Sequence, residues 1–130
     1  ASFKFIRSEY IRDYGPTSWS HADRRAIWWD FNNDSFLDLL VQNSGFPPYS
    51  RMILFEQESN RAYWDVAQHA GVDILNPTGM VMLDFNRDGL MDFIVGQSTI
   101  RNKQIKPKTY FFENVTHRLN RRSVRFYLRG

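Results

Sequence analysis

At 130 residues, 42% hydrophobic and 24% charged, the chain has the size and balance of a folded domain and not of a disordered tail. With no cysteine, disulfide frameworks, thiolate nucleophiles and zinc–thiolate sites are excluded. The net charge of +3 is unevenly spread: residues 1–100 hold 8 Lys/Arg against 13 Asp/Glu, and residues 101–130 hold 9 against the single Glu113. We read that basic run as a solvated face and expect no nucleic-acid partner. No apolar run approaches the roughly 18 residues of a membrane span, so no transmembrane segment is expected.

In chain order, SFKFIRSEY (2–10) has the aromatic alternation of a strand. RRAIWWDF (24–31) and LDLLVQN (37–43) read as two strands joined by an acidic loop. SGFPPYS (44–50) is a turn, since Pro47 and Pro48 cannot donate to a ladder. RMILFEQ (51–57) and RAYWDV (61–66) are a third and a fourth strand around ESN (58–60). AQHAGVDILNPTG (67–79) is a connection, in which only 67–75 has the composition for a turn or two of helix. GMVMLDF (79–85), MDFIVGQ (91–97), KTYFFEN (108–114) and SVRFYLRG (123–130) then repeat the four-strand cycle. Strand starts every 10 to 15 residues or so, with turn signals between, mark an all-β meander.

The cycle is written twice. DFNNDSFLDLLVQN (30–43) and DFNRDGLMDFIVGQ (84–97) share Asp at offsets 1, 5 and 9, Asn at offset 3 and Phe at offset 2. A period of about 54 residues holding four antiparallel strands is the rhythm of a propeller blade. We therefore expect an incomplete propeller: residues 1–23 ending a preceding blade, 24–77 forming one blade and 78–130 the next. One blade cannot bury both faces of its sheet, so further blades or other chains must supply cover. The chain reads as a piece of a longer protein.

The repeated loop offers side-chain oxygens at offsets 1, 3, 5 and 9 and a backbone carbonyl at offset 7. An all-oxygen set with three carboxylates suits a hard cation, and calcium accepts the flexible geometry of such loops. The expected ligands are Asp30, Asn32, Asp34, the Phe36 carbonyl and Asp38 in the first loop. In the second they are Asp84, Asn86, Asp88, the Leu90 carbonyl and Asp92. An EF-hand is excluded, because offset 12 is Val41 or Val95 instead of Glu and both flanks read as strands. The competing reading is a polar hairpin of Asx-turns without metal. Gly89 stands where the turn wants a positive φ and Ser35 holds the matching place, so the second loop is expected to be the tighter. Arg87 should point outward.

These repeats resemble the FG-GAP or VCBS repeats of integrin-α-type β-propellers. The YWDVAQHAGV stretch (63–72) is similar to the F-x-D-V-T-x-x-A-G run of the cartilage acidic protein and ASPIC/UnbV group, with Ala67 in place of Thr. SVRFYLRG (123–130) resembles the first strand of an ASPIC/UnbV segment. The resemblance implies a calcium-stabilised, non-catalytic binding propeller that is extracellular, at a cell surface or periplasmic, and that works with further blades or in a larger assembly. The alternative is a carbohydrate-binding lectin-like propeller, or part of an enzyme whose active surface lies on other blades.

His21, His69 and His117 are isolated, and in Ser20-His21-Ala22-Asp23 neighbouring side chains point to opposite sides of an extended chain, which argues against a triad. Of Trp28, Trp29, Tyr63 and Trp64, alternate ones are expected to pack between blades, with a sugar-stacking platform as the other reading. Asn114-Val115-Thr116 fits a glycosylation sequon, as does Asn33-Asp34-Ser35 inside the acidic loop.

Overall fold

The fold was read from a computed structural model that describes residues 23–46, 50–59, 62–100 and 102–116. Four strands form the first sheet: β1 (Asp23–Trp29), β2 (Asp38–Asn43), β3 (Met52–Gln57) and β4 (Tyr63–Asp65). Three form the second: β5 (Pro77–Leu83), β6 (Asp92–Gln97) and β7 (Lys108–Phe112). Each sheet is an antiparallel meander in chain order, β1-β2-β3-β4 and β5-β6-β7. Among the described residues there is no helix and no closed barrel. The expected all-β architecture of an incomplete propeller is what the chain adopts. The expected strands at 2–10 and 123–130, and with them the second sheet's fourth strand, lie outside the described residues.

Pairing register sets which side chains share a face. In the first sheet Ile27 pairs with Leu40 and Leu40 with Leu54, giving one apolar row, with the Trp29–Asp38 pair next to it on the same face. In the second, Met80–Val95–Tyr110 and Met82–Phe93–Phe112 form two adjacent rows. These faces meet, and the core lies between them: Leu40, Met52, Leu54, Met80, Phe93 and Val95 are buried there, with Ala67, Val72 and Ile74 from the connection. Full burial of each large side chain is worth about 1.5–3 kcal/mol, so this one layer accounts for much of the cohesion between the sheets.

The connection 66–76 is a single tight turn followed by an extended run. Ala70 N–H donates to the Val66 carbonyl at 2.8 Å, and Gly71 at φ +73° ends the turn before a helix can propagate. The run then lies beside the start of β3, with Met52 N–H donating to the Ile74 carbonyl. Asn76 closes it. Its N–H donates to the Ser50 carbonyl, its carbonyl accepts from Ser98 N–H, and its side-chain amide donates to the carbonyls of Ser98 and Ile100 while accepting from Ser50 Oγ. Strand β5 begins two residues earlier than expected, because Gly79 at φ +68° sits within a bulge and does not end the connection. Opposite that bulge a Cβ on Gly96 would lie 2.6 Å from the Thr78 carbonyl oxygen, so only glycine fits.

Candidate metal centre in two matching loops

Each acidic loop joins the first two strands of its sheet, β1 to β2 and β5 to β6. Carboxylates packed into so short a turn must find positive partners, and the turn's own backbone N–H groups supply them. In the first loop Asp30 accepts from Asp34 N–H through Oδ1 and from Ser35 N–H through Oδ2, Asn32 Oδ1 also accepts from Asp34 N–H, and Asp34 Oδ1 accepts from Phe36 N–H. In the second, Asp84 accepts from Asp88 and Gly89 N–H, Asn86 from Asp88 N–H, and Asp88 from Leu90 N–H. The bonds match atom for atom. In both loops, therefore, an oxygen of offset 1 and one of offset 3 gather around the same nitrogen, and the side chains point into the curl of the turn.

The offset-9 aspartates tie each loop to its sheet. Asp38 Oδ2 accepts from Phe31 N–H and its Oδ1 from Gln57 N–H at the end of β3. Asp92 does the same with Phe85 and Asn114 N–H. Both are fully buried. Burial pushes the Asp38 carboxyl up to about 6, assisted by the charges of Asp34 and Asp30 and opposed by the two amide bonds.

Sequence reasoning missed one further repeated pair. Asn32 Nδ2 donates to Glu56 Oε1 at 2.6 Å and Asn86 Nδ2 to Glu113 Oε1 at 3.1 Å. Both glutamates precede the residue that braces the offset-9 aspartate, in Phe55-Glu56-Gln57 and Phe112-Glu113-Asn114. The shared Phe-Glu-amide tripeptide was the available signal. It was hidden because the two tripeptides lie 57 residues apart while the loops lie 54 apart.

Backbone strain is divided differently from the expectation. Ser35 has φ 74° and Gly89 φ 88°, as the turn requires, but offset 4 is left-handed as well, with Asn33 at 55° and Arg87 at 62°. Each loop thus holds one residue suited to that conformation (Asn33, Gly89) and one that is not (Ser35, Arg87). Glycine at offset 6 therefore gives the second loop no net advantage. The first loop is also better shielded: Asn32 is buried where Asn86 is exposed, and Asn114 Nδ2 reaches across from the second sheet to the Phe31 carbonyl at 2.9 Å. Arg87 is exposed, as expected.

The oxygen-only donor set has the chemistry of a hard-cation site, and each carboxylate oxygen that accepts one N–H keeps a second lone pair. As the loops stand, no group of three or more acidic or imidazole side chains among the described residues is gathered closely enough to hold an ion. The side chain of Phe36, whose carbonyl was expected as a ligand, is partly exposed and that of Leu90 is buried.

The other candidates fall apart by register. Trp28 and Tyr63 lie on the far face of the first sheet, their rings 6.2 Å apart, whereas Trp29 and Trp64 lie on the opposite face. Four residues split between two faces make no single sugar platform. Of the four, Trp29 joins the core, while Trp28 and Trp64 are more than half exposed. His69 is exposed, and His21 and His117 lie outside the described residues. Asn114 in the sequon uses its amide nitrogen on Phe31.

An all-β meander whose successive sheets carry the same acidic loop between their first two strands is a β-propeller-type repeat module. The sequence from Asp30 to Val95, about half the chain, matches the FG-GAP-like repeat, and the chain belongs to that family. No curated protein and no solved structure matches it. Among the described residues no helix is long and apolar enough to cross a membrane.

Proposed function

We propose that this chain is a calcium-binding β-propeller repeat module that serves as a non-catalytic scaffold for protein interaction, outside the cytoplasm or at a cell surface. The observation that carries the reading is the atom-for-atom repetition of the loop hydrogen bonds around Asp30, Asn32, Asp34 and Asp38 and around Asp84, Asn86, Asp88 and Asp92. A turn that needs only Asx-type capping has no use for three carboxylates, because Asn or Ser would cap it without mutual repulsion. A bound Ca²⁺ removes that repulsion. Asp30, Asn32, Asp34, Asp38 and the Phe36 carbonyl would hold it in one loop, and Asp84, Asn86, Asp88, Asp92 and the Leu90 carbonyl in the other. Glu56 and Glu113 hold the asparagines at offset 3 in place. The likeness of 63–72 and 123–130 to the ASPIC/UnbV group belongs to the same reading.

Titrating calcium into chelator-treated chain tests it by calorimetry. Two saturable sites are expected, one lost in Asp30→Ala and the other in Asp84→Ala, with affinities near 10⁻⁴–10⁻³ M, roughly those of extracellular modules. Calcium at 100 times its dissociation constant should stabilise the fold by about 2.7 kcal/mol per site. A folded chain that takes up no calcium at millimolar concentration contradicts the proposal.

A further inference from the structure

Between the two sheets, beside the first acidic loop, opens a cleft of about 420 Å³, within the usual range for a small-molecule site. Its walls are aromatic. Trp29 meets Phe31 at 61° and Phe93 at 72°, with ring centres 5.8 and 6.2 Å apart, and Phe112 stacks on Phe93 at 4.7 Å. Rings set steeply to one another form a corner with several π faces and edges, where a flat stack would offer a single face.

Among the described residues the fixed charges at the cleft are carboxylates. Glu56 from β3 and the Glu113 that follows β7 both line the cleft, and among the described residues no lysine or arginine does, the one basic side chain there being His69. Each glutamate is fixed by the asparagine amide that it accepts. An anion would meet two carboxylates here. A bare metal ion would find the two carboxylates but aromatic rings in place of most of the remaining oxygen ligands it needs. An organic cation meets both features, since aromatic faces attract ammonium and guanidinium groups and the carboxylates supply the opposite charge. We infer that the inter-sheet cleft is a binding site for a small organic cation bearing a quaternary ammonium, amine or guanidinium group. Neither glutamate is itself a proposed calcium ligand, but each holds a ligand asparagine, so the inference is tested with calcium saturating.

Choline and its neutral isostere 3,3-dimethyl-1-butanol are the probes, titrated into the full chain in saturating calcium and followed by calorimetry or by chemical-shift changes at the Trp29 indole. Choline is expected to bind saturably and about tenfold or more tighter than the alcohol, as cation–π attraction in a partly desolvated site allows. Glu56→Gln and Glu113→Gln should each weaken choline several-fold and leave the alcohol unchanged, because glutamine keeps the carbonyl that accepts the asparagine amide. Phe31→Leu should weaken choline while the melting temperature stays near that of the parent. Equal binding of the two probes overturns the inference. So does the absence of choline binding at 10 mM or so, or choline binding that is indifferent to the glutamate variants.

Discussion

Asn33 and Ser35, and Arg87 and Gly89, occupy the same two left-handed positions of their loops, and the chain has placed a suitable residue at only one position in each. A non-glycine side chain there costs on the order of 1 kcal/mol, less for Asn. Ser35→Gly and Arg87→Asn should therefore each stabilise the fold by about 0.5–1 kcal/mol in denaturant titrations; a loss in either would show that the native side chain makes a contact worth more than the strain. Asp38 carries a second prediction. Its carboxyl titrates near 6 in the folded chain against an ordinary value of 3.8. Between those pH values the folded state holds a proton that the unfolded chain has released, so the contribution to stability is greatest below about pH 4, falls as pH rises to about 6 and is flat above. In chelator, the stability of the parent relative to Asp38→Asn should fall by up to about 3 kcal/mol from pH 4 to pH 7. A difference that does not change with pH would contradict this. Calcium at the loop favours the ionised carboxylate and should flatten the profile.

At the scale of elements, the two sheets are joined by polar clamps as well as by the apolar layer. Asn76 bonds the start of β3 to the segment after β6 through backbone and side chain together, and Arg25 adds a bond to the Met80 carbonyl. Asn76 is buried, so truncating it strands several partners away from water. Asn76→Ala should cost at least about 2 kcal/mol, measured by equilibrium unfolding, and should raise hydrogen exchange at Ser98 and Asn102 before the strand amides. A cost below about 0.5 kcal/mol would mean that water replaces the clamp.

For the whole molecule the apolar rows are not equally covered. Met80, Met82, Phe93 and Val95 face the first sheet and pack there. Phe111 lies on the other face, alongside Val81 and Ile94. On that face Val81 is 60% exposed and Phe111 45%, and Phe85 packs edge-on to Phe111 at 4.4 Å while remaining 48% exposed. This face stands where the inward row Ile27–Leu40–Leu54 stands in the first sheet, the row that the second sheet covers. The chain at high concentration should bind a hydrophobic dye and scatter light as more than a monomer, since contiguous apolar patches of this kind mark interfaces. A dye-silent, soluble monomer would show the face to be sufficient as it is. Replacing Val81 and Phe111 by Thr should restore the monomer without loss of fold.

The strands and both loops were legible in the sequence because their signals are local. Alternation, β-branched and aromatic residues and turn chemistry act over a few residues, and the offsets 1, 3, 5 and 9 stand within one turn. The family likeness rests on the same short-range text. Tertiary structure alone decided which face of each sheet meets the other, since period-2 alternation marks two faces without naming the inner one. It decided that Trp28 and Trp64 stand exposed while Trp29 is packed. It brought Glu56 and Glu113 to the loops across strand pairings that no fixed offset encodes. It also decided that the first loop is the sheltered one, because shelter comes from Asn114 on another sheet, 83 positions away along the chain.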